Sequence, residues 1–179
     1  MKRFLAGVCG IFLLFSMIFM SSCGETDYES PRESFEADIY FSRDGVDYAA
    51  RVSVGERRVV EGRTAVPRAI EMSFTAPESM VGVRLLRSEG GDCRTVCGGV
   101  ELEGDVGGWL GLAELLIASD VGRLVDIQAG RGAAEGRTMA EFLLNDGRRC
   151  VVYVDNASGF PISVVCDGEE VGVIFASRG

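Results

Sequence analysis

The sequence predicts an α+β domain in which a curved antiparallel sheet of about nine or ten strands forms an open half barrel around one central helix. Three observations carry this. Apolar and polar residues alternate with a period of two in many short runs separated by Gly and Asp turns, the pattern of half-buried strands. Glycine is 24 of 179 residues, near twice the ordinary share of roughly 7%, as a meander of tight turns requires. One stretch, 108–119, breaks the alternation with helical spacing. A single helix of that length cannot cover the apolar face of so many strands, so the sheet must curl around it.

In chain order, Lys2 and Arg3 precede an apolar run from Phe4 to Met20, the profile of a signal peptide over residues 1–22. A run of 17 residues is at the lower limit for crossing a bilayer, which keeps an uncleaved anchor as the alternative. Met20-Ser21-Ser22-Cys23 resembles the lipobox of bacterial lipoproteins, with Met where Leu is commoner. The resemblance implies diacylation of Cys23 and stable attachment, because each buried methylene contributes about 0.8 kcal/mol. Residues 23–34 read as the acylated cysteine followed by a flexible polar tether containing Pro31, and residues 35–179 as the folded domain.

The domain opens with Phe35, Ala37, Ile39 and Phe41 on one face of a strand. After Asp44-Gly45, a hairpin signal, Tyr48, Ala50, Val52 and Val54 form the apolar face of a second. The Arg-rich stretch 55–68 is either an extension of that strand or a long loop. Ile70, Met72 and Phe74 mark a third strand, Val81, Val83 and Leu85 a fourth, and 96–102 a fifth after Gly90-Gly91. In 108–119, Trp109, Leu112, Ala113 and Leu116 fall at helical spacing, widened by Leu110, Leu115 and Ile117, giving a mostly apolar helix of about three turns. Strands resume at 124–128, 137–145, 150–154, 160–166 and 171–176.

Composition excludes more chemistry than it suggests. The chain has no histidine, which removes Ser-His-Asp and Cys-His nucleophile systems and His-containing zinc sites. Its single lysine, Lys2, lies in the signal, so no Schiff-base or phosphate-loop lysine remains. No Gly-rich phosphate loop or calcium loop is present, and no acidic pair shares a sheltered face as a glycosidase would need. The expectation is a non-enzymatic protein without a cofactor. Loss of residues 1–22 leaves a net charge of −11, which repels nucleic acid and anionic headgroups and holds the domain off the membrane surface.

The lipobox and tether, the first hairpin, the strand ending Ser73-Phe74-Thr75-Ala76-Pro77-Glu78 before Met80-Val81-Gly82-Val83, the central helix, and the turn Asp155-Asn156-Ala157-Ser158-Gly159-Phe160-Pro161 together resemble small exported lipoproteins of clostridia-like Firmicutes. These in turn resemble the LolA-like superfamily of lipoprotein carriers, over residues 35–176. The resemblance implies an unclosed β-barrel capped by helix with an apolar cavity, and it implies binding of a lipid, an acyl chain or another lipoprotein. Some such relatives assist a cell-wall hydrolase in spore germination, which implies an alternative: a solid scaffold that binds a protein partner of the envelope. Either way the protein would stand on the outer face of the cytoplasmic membrane through its lipid anchor.

Candidate cavity residues are Phe35, Ile39, Phe41, Phe74, Leu112, Leu116, Phe142 and Phe175, against the plainer reading that they are packed core. Cys23 is the lipidation site and Cys9 leaves with the signal, so Cys93, Cys97, Cys150 and Cys166 remain. An even number in an exported protein suggests disulfides. A last hairpin turning about Ser158 sets Cys150 opposite Cys166, Val152 opposite Val164 and Val154 opposite Ile162, while Cys93 and Cys97 could close a small loop. Four free thiols, or one four-thiolate metal site, are the alternatives. Arg57-Arg58, Arg148-Arg149 and Glu169-Glu170 read as solvated hairpin ends.

Overall fold

The computed structural model describes residues 28–58, 66–105, 108–129 and 136–178, without the side chains of 175–178. Residues 1–22, Cys23 and residues 24–27 of the stretch read as tether lie outside the described residues. Eleven strands form one antiparallel sheet: β1 (Phe35–Arg43), β2 (Val46–Val54), β3 (Ile70–Ala76), β4 (Arg84–Arg87), β5 (Cys93–Cys97), β6 (Val100–Glu103), β7 (Gly122–Ala129), β8 (Arg137–Leu144), β9 (Arg149–Asp155), β10 (Pro161–Cys166) and β11 (Glu169–Arg178). Their order is β6-β5-β4-β3-β2-β1-β11-β10-β9-β8-β7. Two meanders are thus joined in the middle by β1 and β11, and β6 and β7 are the open edges. The half barrel does not close.

Strands β1 to β3 follow their alternation. Phe35, Ala37, Ile39 and Phe41 are buried, as are Ala50, Val52 and Val54, then Ile70, Met72 and Phe74. Two expectations are corrected. The run 96–102 is two strands, because Gly98 and Gly99 adopt left-handed φ values of 57° and 84°, the conformation of a tight hairpin turn that only glycine takes without cost at both positions. This raises the strand number to eleven. Val81 belongs to a turn and is exposed, and Val83 lies between that turn and the strand, its carbonyl accepting the Phe74 amide at 3.2 Å. The fourth strand begins at Arg84 and turns Leu85 and Arg87 inward.

The connection from β6 to β7 crosses the apolar face of the sheet. Instead of one regular helix it comprises α1 (Leu110–Glu114), a 3-10 turn (Leu115–Ile117) and α2 (Ala118–Val121). Ile117 leaves helical geometry with φ −120° and ψ 41°. Asp105, upstream of the helix, accepts the Trp109 and Leu110 amides at 3.1 and 2.9 Å, supplying the cap that Trp109 itself cannot. No described helix is long and apolar enough to cross a membrane.

Packing begins earlier than residue 35. Tyr28 meets the Phe142 ring edge-on with centroids 5.9 Å apart. Ser30 and Ser119 exchange hydrogen bonds: the Ser30 amide donates to Ser119 Oγ at 2.8 Å, and the Ser119 amide to Ser30 Oγ at 3.3 Å. Part of the stretch read as tether is therefore a strap laid on the domain.

Candidate functional site

The concave side of the sheet is filled by the chain's own apolar connection, here called the plug. It contributes Leu110, Leu112, Ala113, Leu115, Leu116, Ile117 and Ala118, all buried. They share one continuous core with the sheet. Of the candidate cavity residues, Phe35, Ile39 and Phe41 come from β1, Phe74 from β3, Leu112 from α1, Leu116 from the 3-10 turn and Phe142 from β8. None of these seven is more than 7% exposed. Phe175 lies on β11 opposite Ala37, but its side chain is outside the described residues.

An aromatic group closes one end of this interior. Trp109, at the plug's start, stands 5.0 Å from Tyr48, 5.6 Å from Phe74 and 5.8 Å from Phe41 between ring centroids. Phe41 and Tyr48 stack at 5.3 Å. Arg43 lies 4.3 Å over the Trp109 ring and 3.6 Å from Glu169, a cation–π arrangement that screens the ring from water. A surface cleft of about 670 Å³ runs past Tyr40, Phe41, Asp47, Tyr48 and Glu170.

Buried charge pins plug and strap to the sheet. Arg68, 2% exposed, donates Nε to Gly55 O at 2.6 Å, Nη1 to Pro31 O at 2.5 Å and Nη2 to Glu33 O at 2.7 Å. Asp120 at the plug's end lies 3.6 Å from Arg68 and 3.2 Å from Arg57. Burial pulls the Arg68 guanidinium below its ordinary pKa and Asp120 opposes that pull. Arg57 is thus not a solvated hairpin end. Arg87 pairs with Glu114 of the plug and donates Nε to Arg68 O at 3.2 Å. Neither inward arginine was a predicted site residue, although a signal existed. Arg68 shares the parity of Ile70 and Met72, and Arg87 that of Leu85, which in a period-2 pattern means facing the core.

All four described cysteines are free thiols. The small loop proposed for Cys93 and Cys97 is corrected: they occupy the two ends of the single extended strand β5. Four residue steps there span about 13 Å, well beyond disulfide reach of roughly 7 Å. Cys150 and Cys166 do face each other, as do Val152 and Val164. The third predicted pair fails, because a bulge after Pro161 sets that residue opposite Val154 and leaves Ile162 unpaired. Proline has no amide to donate to the ladder, which favours such a break. In the sheet order five strands lie between β5 and β10, so the thiols do not gather into one group.

No protein-family model and no curated protein matches the chain. Among solved structures the chain is similar to an uncharacterized conserved protein from Thermus thermophilus, at 13% identity and TM-score 0.47, covering 84% of this chain and 81% of that one. A putative outer membrane lipoprotein-sorting protein domain from Vibrio parahaemolyticus is similar at 12% identity and TM-score 0.44, over 82% of this chain and 84% of that one. A LolA superfamily protein from Nitrosomonas europaea is similar at 11% identity and TM-score 0.41, over 84% and 87% respectively.

Proposed function

We propose that this protein is a non-enzymatic, membrane-anchored extracytoplasmic lipoprotein, acylated at Cys23, whose half barrel binds a hydrophobic ligand in exchange for its own plug. The ligand is a lipid, an acyl chain or the acylated end of another lipoprotein. One observation carries the reading: a continuous apolar wall is covered by an apolar segment broken into three short helical pieces. Such a segment has little helical stability of its own, so its place depends on the burial it gains there.

Magnitudes decide what can replace it. Exposing Leu110, Leu112, Leu115, Leu116 and Ile117 costs roughly 8–15 kcal/mol at about 1.5–3 kcal/mol each. An acyl chain of about sixteen carbons gains on the order of 12 kcal/mol on burial. A single chain nearly balances the plug and two chains exceed it, so the reading favours diacyl ligands. Trp109 is the only tryptophan and begins the plug, so its emission reports the exchange. Titrating the purified protein with a diacyl lipid should shift that emission to the red, and native mass spectrometry should find the lipid bound. Unchanged emission together with no bound lipid would overturn this reading in favour of a second.

The second reading is a solid scaffold that binds an envelope protein, such as a cell-wall hydrolase, on its outside. It is favoured by the burial of the seven described candidate cavity residues, none more than 7% exposed, in the core that plug and sheet share. Tyr40 and Ile174, exposed on the central strands β1 and β11, offer outward apolar contacts.

A further inference from the structure

Strands β9 and β10 bring Cys150 and Cys166 into direct opposition. Opposed residues in an antiparallel ladder stand about 4.5–5.5 Å apart at Cα, inside the roughly 4.4–6.8 Å that a disulfide spans. Both side chains are buried on the same face of the sheet, 0% and 4% exposed. Packing alone does not require cysteine at this rung. Two residues further along, the opposed pair on the same face is Val152 and Val164, so apolar aliphatics suit the position equally well.

We propose that Cys150 and Cys166 are a disulfide site, joined in the exported protein. The pair lies at the ends of its two strands, beside the turns. Cys166 is the last residue of β10, before the Asp167-Gly168 turn, and Cys150 is the second residue of β9, just after the turn that carries Arg148. The reaction is exchange with a disulfide oxidant of the exported compartment. A Cys thiolate attacks the oxidant's S–S bond, forming a mixed disulfide and releasing one thiol. The second Cys thiolate then attacks the mixed disulfide and releases the other. Two protein thiols lose two protons and two electrons in all, and the oxidant is reduced to two thiols.

The order of attack follows from surroundings. Burial pushes the Cys150 thiol up to about 12, the nearby Cys166 adding to this. Burial also raises Cys166, and the Arg148 guanidinium opposes the rise at both thiols. Cys166 is the less enclosed of the two, 4% against 0% exposed, so it attacks first and Cys150 resolves. Residence in an oxidising compartment rests on the export reading, whereas the pairing rests on register alone and is testable apart from it.

The test needs no variant. The full chain, purified from membranes in detergent, is equilibrated with oxidised glutathione, acid-quenched, unfolded in iodoacetamide and digested with trypsin. Residues 151–177 contain neither Lys nor Arg, so one peptide, Cys150–Arg178, carries both thiols. The expected result is a peptide two hydrogen masses below its dithiol form and without alkyl groups, while Cys93 and Cys97, on separate peptides, are alkylated. A doubly alkylated Cys150–Arg178 peptide after oxidation, or a cross-link from it to Cys93 or Cys97, would overturn the proposal. As a second measurement, the oxidised protein should melt several degrees above the reduced one, a difference that Cys166→Ala abolishes. Equal melting temperatures of the two redox forms would count against it.

Discussion

Arg68 is one residue that holds two segments through three carbonyls: its guanidinium donates to the strap at Pro31 and Glu33 and to the chain after β2 at Gly55. Five donors in a planar fork suit this task where lysine would not. Arg68→Met should lower unfolding stability by about 3 kcal/mol in urea titration, because it leaves three carbonyls without their donor and Asp120 with Arg57 alone. A second residue-level expectation concerns alkaline pH. Burial raises the Tyr28 phenol from 10.0 to about 12 and the Cys150 thiol from 9.0 to about 12. Both are neutral acids favoured by folding, so their stabilisation is complete below the ordinary pKa and is lost as pH rises through the raised one. In reductant, stability should fall from pH 9 toward 12. Cys150→Ala should remove the part of the loss that begins near 9, and Tyr28→Phe the part that begins near 10. That Tyr28 belongs to the domain at all was not legible in the polar stretch around it, because one aromatic has no periodicity.

The plug is the element on which function turns. Leu116→Ala should destabilise the closed form by about 2–5 kcal/mol, and if ligand replaces the plug the same change should tighten lipid binding at least tenfold by lowering the cost of opening. Weaker or unchanged binding of lipid by that variant would separate the plug from the binding site. The end of the plug is fixed by Gly122, where a Cβ would stand 2.8 Å from the Leu143 carbonyl oxygen. Gly122→Ala should therefore cost about 1–3 kcal/mol by thermal or chemical unfolding. Strand identity was legible wherever one face is continuously apolar, as in Phe35-Ala37-Ile39-Phe41. It failed where turn chemistry competed: Gly98-Gly99 divides an apparently single run, and Gly82, with φ 89°, turns the chain between Val81 and Val83. The plug's apolar spacing was visible, but its break at Ile117 comes from packing, which spacing does not encode.

At the scale of the whole molecule, the open sheet pairs β6 to β5 over only four rungs at one edge, and its longest pairing is at the centre, where β1 is paired on both sides by β2 and β11. Hydrogen exchange should be slowest in β1 and fastest in β6, whose four residues are all exposed. Periodicity told which residues face inward, so Phe35, Ile39, Phe74 and Phe142 were legible as interior. It did not tell whether the volume they surround is empty, because a filled and a hollow barrel present the same alternation. Replacing Cys23 by Ala should release the protein from the membrane fraction, with the charge of −11 preventing adsorption to anionic vesicles in its place. The central position of β1 has a mechanical consequence. Tension applied from the N-terminal side meets the Tyr28 and Ser30 contacts first, then the Arg68 latch, and beyond it a strand that must be sheared from two neighbours at once. A load of that kind would peel away the strap and leave the barrel standing.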